Sequence, residues 1–259
     1  IDSAQLDAKV LLKFVTGFSD VDLVLKADQI LPEDQIAAYN FLIQRRAYFE
    51  PVAYIIGVKE FWGLPFNVTP ATLIPRPESE LFIEAALERF DKNAPLKILD
   101  LGTGTGCLIL TLLHEFKNAY GVGVDTSSEA LSIASENARA LGLQDRIEFI
   151  KSNWCDKVEG SFDLIVTNPP YIPEDEKLMK DVKDYEPDRA LFGGKSGLSA
   201  YESLVPQLKR HTSEKTELFC EIGAGQLSQI GLILEKYNAH VLGVKRDMQA
   251  IERLIIACF

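Results

Sequence analysis

The sequence predicts an α/β protein. A mainly parallel sheet of seven strands carries helices on both faces, and a small helical domain precedes it. Three observations carry this expectation. From about residue 80 onward, short aliphatic runs alternate with segments of helical period. The first 50 or so residues show helical period only. The chain has 259 residues, which fits one domain of ~180 residues beside a smaller one. Apolar residues make up 47% and charged residues 25%, which excludes a disordered chain.

The first helix is expected to start at a cap on Asp2 or Ser3, to bury Leu6, Val10 and Phe14 at i+4 spacing, and to stop at Gly17. A second should start at Pro32. Glu33 and Asp34 suit its positive end and Arg45 and Arg46 its negative end, with Ile36, Tyr39, Ile43 and Ala47 buried and Pro51 as the breaker. Residues 60–68 alternate around a turn-like centre and predict a hairpin. Residues 73–78, Leu-Ile-Pro-Arg-Pro-Glu, are too rich in proline for helix or central strand. They form either a rigid spacer or a loop that brings Arg76 and Glu78 to a site. Strands are expected at 98–101, 120–124, 147–151, 162–167, 218–222, 240–244 and 253–258. Helices are expected at 79–90, 106–117, 127–141, 197–210 and 226–237. The resulting division is a helical domain at 1–58, a hairpin and proline-rich linker at 59–78, and the sheet domain at 79–259.

The net charge of −11 argues against nonspecific grip on nucleic acid, although Arg45-Arg46 could seed a local basic face. Cysteines 107, 155, 220 and 258 lie far apart without a CxxC, and the three histidines share no short spacing. Buried thiols in a reducing compartment are expected, with no metal. No apolar run nears the roughly 18 residues that span a bilayer. Ile1-Asp2-Ser3 show neither a basic start nor an apolar signal core, and the missing initiator Met points to trimming. A cytoplasmic monomer is the expectation.

Two motifs carry chemistry. Asp100-Leu101-Gly102-Thr103-Gly104-Thr105-Gly106 follows the first strand and opens a helix. Glycines there let the backbone turn tightly and approach a ligand. The spacing is GxGxG rather than the dinucleotide GxGxxG, and an acid precedes it. A carboxylate repels a pyrophosphate but suits an ammonium, as in S-adenosylmethionine. Asp125 ends the second strand, where a carboxylate can accept both ribose hydroxyls; it could equally cap the next helix. Trp154, past the third strand, could cover an adenine ring or fill the core.

The second motif, Asn168-Pro169-Pro170-Tyr171, follows the apolar strand Leu164-Ile165-Val166-Thr167. Each proline forces the residue before it into extended conformation and removes an N–H. The Asn168 side-chain oxygen and the Pro169 carbonyl can then accept both hydrogens of an –NH2 group, while Tyr171 offers a face to a planar amide or base. No His or Glu neighbours the motif in sequence, so no strong general base is expected.

Together these residues look like an amino-group methyltransferase. Further segments are more specific: Glu50-Pro51-Val52-Ala53-Tyr54-Ile55, Glu60-Phe61-Trp62-Gly63-Leu64, Leu73-Ile74-Pro75-Arg76-Pro77-Glu78 and Asp184-Tyr185-Glu186-Pro187. Over nearly its whole length the chain resembles the peptide chain release factor glutamine N5-methyltransferases, the PrmC/HemK family. The resemblance implies a seven-stranded, Rossmann-like S-adenosylmethionine-dependent methyltransferase domain behind a helical domain that docks a class I release factor. The Gly-Gly-Gln glutamine of that factor would be the substrate, without direct nucleic-acid or membrane contact. Carried onto this chain, Gly102, Thr103, Gly104, Thr105, Gly106, Asp125, Trp154 and Asn168 would hold the cofactor. Asn168, Pro169, Pro170 and Tyr171 would hold the glutamine, with Asn168, Pro169 and Tyr171 as the catalytic set. Two departures stand out. Asn153 replaces the family's Asp before the tryptophan, and Gln249-Ala250-Ile251-Glu252 lacks the usual glycine turn. An adenine-N6 methyltransferase of DNA or RNA is the competing expectation, since NPPY serves that chemistry as well.

Overall fold

The computed structural model describes residue 1 and residues 3–259. The cap expected of Asp2 lies outside the described residues. The chain forms two compact units, one of Ile1–Val58 with Leu178–Glu186, the other of Lys59–Lys177 with Pro187–Phe259.

The first unit holds α1 (Ala4–Thr16), α2 (Asp20–Leu25), α3 (Glu33–Ala47) and α4 (Val52–Ile56). Gly17 ends α1 in the left-handed region, its N–H donating to the Lys13 carbonyl. Ser3 does not cap α1; its hydroxyl donates to Asp7 Oδ1 at 2.9 Å. The buried face of α1 differs from the expected one. Leu6 and Phe14 are exposed, whereas Asp7 and Leu11 are buried. The cause is an ion pair: Arg46 Nε of α3 meets Asp7 Oδ2 at 2.6 Å, with both side chains 12% exposed. Such a pair holds only if both charges stay together, so it sets the rotation of α1 and turns the Asp7-Leu11-Val15 row inward. On α3, Leu42 is buried and Tyr39 and Ile43 are half-buried, while Ile36 and Ala47 are exposed. Leu11, Leu42 and Ile55 form the small core. Arg45 pairs with both oxygens of Glu50, so neither arginine is spare for a basic face. Residues 178–186 join this unit: Lys180 stands 4.7 Å from the Phe49 ring centroid, and the Tyr185 hydroxyl donates to the Tyr48 carbonyl at 2.8 Å.

The second unit opens with a hairpin, β1 (Val58–Phe61) and β2 (Leu64–Asn67), turning through Trp62 and Gly63, both at positive φ. Phe61 and Phe66 are buried in its core. A single 3-10 turn, Pro77–Glu80, leads into α5 (Leu81–Arg89). Then come β3 (Lys97–Leu101), α6 (Cys107–Glu115), β4 (Tyr120–Asp125), α7 (Ser128–Ala140), β5 (Ile147–Lys151) and β6 (Leu164–Thr167). After α8 (Lys180–Tyr185), which lies within the 178–186 segment, follow α9 (Asp188–Leu191), α10 (Ser199–Leu208), β7 (Glu217–Glu221), α11 (Leu227–Lys236), β8 (His240–Arg246) and β9 (Glu252–Cys258).

The sheet has seven strands in the order β5-β4-β3-β6-β7-β9-β8. The strands from β5 to β7 are parallel, and β9 runs antiparallel to both β7 and β8. Side-chain alternation divides the core. Ile98, Leu164, Val166 and Phe219 face α5 and α6; Leu99, Ile165, Leu218 and Cys220 face α10 and α11. The β8–β9 hairpin, where glycine is missing, turns with Ala250 at φ 62°. Asp247 accepts the N–H groups of Gln249 and Ile251 there, at 2.9 and 3.0 Å. Among the described residues no helix is long and apolar enough to cross a membrane.

Candidate active site

The site lies beyond the carboxyl ends of β3, β4, β5 and β6, where open parallel sheets bind ligands. Gly102, Gly104 and Gly106 all adopt positive φ, at 80°, 54° and 79°, a backbone path closed to ordinary side chains. Gly102 and Thr103 N–H both donate to the Val124 carbonyl, at 2.9 and 2.8 Å, stitching the loop to β4. Asp125 is half-buried and tethered at both oxygens: Gly104 N–H reaches Oδ2 at 3.0 Å and Ser127 N–H reaches Oδ1 at 2.8 Å. Ser127, not Asp125, caps α7 by accepting from Ala130 N–H at 3.1 Å. Arg189, from α9, donates to Ser127 Oγ and to the Ala71 carbonyl, at 2.7 and 3.0 Å.

Asp100 is buried beneath the loop. Thr103 donates to its Oδ2 at 2.7 Å, while Oδ1 is buried with no partner among the described residues. Burial pushes its carboxyl up to about 7, and the neighbouring Asp125 adds to that rise. Trp154 stands at φ 47°, and a Cβ on Gly102 would lie 3.8 Å from its ring. The next residue is held on both sides: Cys155 N–H donates to Gln207 Oε1 at 3.1 Å and its carbonyl accepts from Arg210 at 2.6 Å.

The end of β6 supplies the second half. Asn168 is half-buried, Pro169 buried and Tyr171 half-buried. Asn168 Nδ2 donates to Ser79 Oγ at 3.4 Å, and Ser79 Oγ donates to Glu221 Oε2 at 2.6 Å. The Tyr171 hydroxyl donates to Glu221 Oε1 at 3.2 Å. Burial raises the Glu221 carboxyl to about 6 against the pull of those two hydroxyls, and raises the Tyr171 phenol, with Glu221 as the second cause. Gly197 passes so close beneath the Tyr171 carbonyl that any Cβ would strike it, and Gln226 Nε2 donates to that carbonyl at 3.0 Å.

One cavity is lined by Gly102, Thr103, Gly104, Thr105, Asp125, Trp154, Asn168 and Pro170, which brings together residues the sequence marked separately. Gly106, Pro169 and Tyr171 are not among its lining residues. Asp125 is the one carboxylate lining it among the described residues, and no histidine does. The proline-rich segment is more than a spacer, since Leu73, Pro75 and Arg76 line the same cavity; Glu78 does not. Cys107 also lines it, but burial pushes its thiol up to about 12, so no thiolate is offered.

Sequence reasoning missed Ser79, Glu221, Arg189 and Gly197. Glu221 carried a signal: it is an acid closing the apolar run Leu218-Phe219-Cys220 at the carboxyl end of β7, as Asp125 closes β4. Ser79 and Arg189 carried none, because only the folded chain brings them to β6 and α7.

A seven-stranded sheet with this cradle and this NPPY end defines a Rossmann-like methyltransferase. The family model for the methyltransferase small domain matches residues 79–184, and the PrmC N-terminal domain model matches residues 1–57. A release factor glutamine methyltransferase of Bradyrhizobium diazoefficiens is 41% identical over 99% of this chain and 89% of its own length. That of Cereibacter sphaeroides is 40% identical over 99% of this chain and 92% of its own. The chain belongs to the release factor glutamine methyltransferase family. Among solved structures, a methyltransferase from Pyrococcus furiosus shares the fold at TM-score 0.59, with 20% identity over 83% of this chain and 96% of that one. The ribosomal protein L11 methylase of Lactobacillus delbrueckii subsp. bulgaricus aligns at TM-score 0.52, with 25% identity over 70% of this chain and 77% of that one.

Proposed function

We propose that this chain moves a methyl group from S-adenosyl-L-methionine to the side-chain amide nitrogen of the Gly-Gly-Gln glutamine in class I release factors. The observation that carries the reading is that Asn168 and the glycine cradle line one cavity. The cofactor fits the residues present. Asp100 does not line the cavity, but it lies beneath the cradle with a buried oxygen that has no partner among the described residues, so its carboxylate favours a cationic group above it over a pyrophosphate. Gly102 to Gly106 would bind the methionine part, Asp125 the ribose hydroxyls, and Trp154 the adenine face. Bound there, the cofactor supplies an electrophilic methyl on its sulfonium.

The chain's own residues do the rest. An amide nitrogen is a poor nucleophile because its lone pair is shared with the carbonyl. The Asn168 oxygen and the Pro169 carbonyl accept its two hydrogens and draw electron density back to nitrogen. Pro170 and Tyr171 complete the clamp, the phenol tied to Glu221 and the ring offered to the planar amide. Fixing the lone pair towards the methyl can supply about 7–11 kcal/mol of the barrier. Asp125, the one carboxylate lining the cavity among the described residues, is given to the ribose hydroxyls, and no histidine lines it, so the proton leaves to water rather than to a general base.

Residues 1–58 would dock the release factor, with 59–78 as connection and 79–259 as the methyltransferase domain. Work in the cytoplasm as a monomer, without direct nucleic-acid contact, completes the reading. The adenine-N6 alternative is not favoured, because relatives matched over nearly the whole chain carry the release factor name.

A labelled-methyl assay tests this. The protein is given a class I release factor, intact or with the Gly-Gly-Gln glutamine changed to alanine, and DNA in parallel. Label is expected on the intact factor alone, and Asn168→Ala should lower its rate on the order of 10³-fold. Label on DNA, or equal label on both factor forms, would sink the reading.

A further inference from the structure

Glu221 and Ser79 perform no step described so far, yet both are buried beside the clamp, at 2% and 3% exposure; Ser79 lines the cavity and Glu221 lies behind it. Their bonds form one directional chain. An amide side chain has a donor end and an acceptor end, and only one orientation of Asn168 can accept from a glutamine –NH2. The other orientation would set –NH2 against –NH2. Something must fix the choice.

We infer that Glu221 is a positioning residue that, through Ser79, sets which end of the Asn168 amide the cavity sees. This rests on the glutamine reading above. An ionised carboxylate only accepts. Its Oε2 takes the single proton of Ser79 and its Oε1 takes that of Tyr171. With its proton committed, Ser79 Oγ can only accept from Asn168. Nδ2 therefore turns to the serine, and Oδ1 is left for the substrate. The same carboxylate holds the Tyr171 ring by its hydroxyl, so one charge aligns both flanks of the clamp. A protonated Glu221, or a glutamine presenting –NH2 there, frees the serine proton to reach Asn168 Oδ1 and turn the amide round. The titratable groups that face Glu221 are Arg253 from β9, Glu78 beside Ser79, Tyr171, Cys220 on its own strand, Tyr201 from α10, whose hydroxyl donates to the Glu221 backbone carbonyl at 2.8 Å, and Cys107 from α6.

The test reads the Asn168 side-chain amide by ¹H–¹⁵N spectroscopy on the free protein, alongside kinetics, for wild type, Glu221→Gln, Ser79→Ala and Ser79→Thr. In wild type the Asn168 resonances should shift with one titration near pH 6, and in Glu221→Gln they should not. Ser79→Ala and Glu221→Gln should each lower kcat about tenfold while cofactor Kd stays within about threefold. Ser79→Thr, which keeps the hydroxyl, should recover most of the rate. Asn168 resonances that ignore pH in wild type, or wild-type kcat in both Ser79→Ala and Glu221→Gln, would overturn the inference. So would a Ser79→Thr variant as slow as Ser79→Ala. If Glu221→Gln fails to fold, the two serine variants still decide. A wild type that leaves glutamine unmethylated overturns the substrate reading alone, because the amide titration needs no substrate.

Discussion

In the helical unit the central buried contact is an ion pair, Arg46 with Asp7, ringed by three buried aliphatics. In the sheet unit the buried carboxylates meet hydroxyls instead: Thr103 on Asp100, Ser79 and Tyr171 on Glu221. A paired carboxylate is satisfied and serves as a bolt. Burial outweighs the hydroxyl donors, and at Glu221 also the nearby Arg253, so Asp100 rises to about 7 and Glu221 to about 6. One unit uses buried charge to fix packing; the other keeps it responsive, where the cavity is.

The comparison breaks most readily at Arg46. Arg46→Ala leaves Asp7 buried without its cation and should cost about 3–5 kcal/mol. Only the helical unit should feel it: amide exchange in α1 and α3 should quicken, while cofactor binding by the sheet unit holds. Equal loss of protection in β3 and β6 would show that the two units do not fold separately. Gly197→Ala attacks the other side. Its φ of 74° disfavours a side chain, and the new Cβ strikes the Tyr171 carbonyl. Methyl transfer should fall about 10²-fold, with the helical unit's exchange unchanged.

Asp100 sharpens the contrast through pH. Its folded value is raised from 3.8 to about 7, so the folded chain holds a proton that the unfolded chain has lost. That contribution is whole below 3.8, declines as pH rises towards about 7, and is gone above it. Melting temperatures of cofactor-free wild type should therefore fall, relative to Asp100→Asn, across that window. The same variant should bind S-adenosylmethionine about tenfold more weakly by calorimetry. Parallel melting curves would remove Asp100 from the list of strained charges. The smallest effect concerns Ala250, which sits at φ 62° where glycine is at ease. Ala250→Gly should stabilise the β8–β9 hairpin by up to ~1 kcal/mol in denaturant titration.

The sheet was legible because each parallel strand is buried on both faces and announces itself as an apolar run, such as Leu164-Ile165-Val166-Thr167. Boundaries moved by a residue or two, as at Leu164 against the expected 162. The helical unit was harder. Its period in α1 pointed to Leu6, Val10 and Phe14, but the ion pair overrode the stripe and turned Asp7 and Leu11 inward. The short α2 depends on a local capping box at Ser19 and Asp22, without any buried residue to mark it. In the site, motif residues contiguous in sequence were legible; Ser79, Arg189 and Gly197 were not. Their roles exist only across long chain separations, 142 residues between Ser79 and Glu221.

Residues 178–186 have a practical consequence. The backbone passes between the two units at 58–59, again at 177–178 and again at 186–187. The helical unit is therefore no bead on a string that can be unthreaded and exchanged. A hybrid made by swapping only the first 58 residues with a relative would set one parent's Phe49 and Tyr48 against the other parent's Lys180 and Tyr185. Inheritance of the helical unit comes in two instalments, and both must travel together.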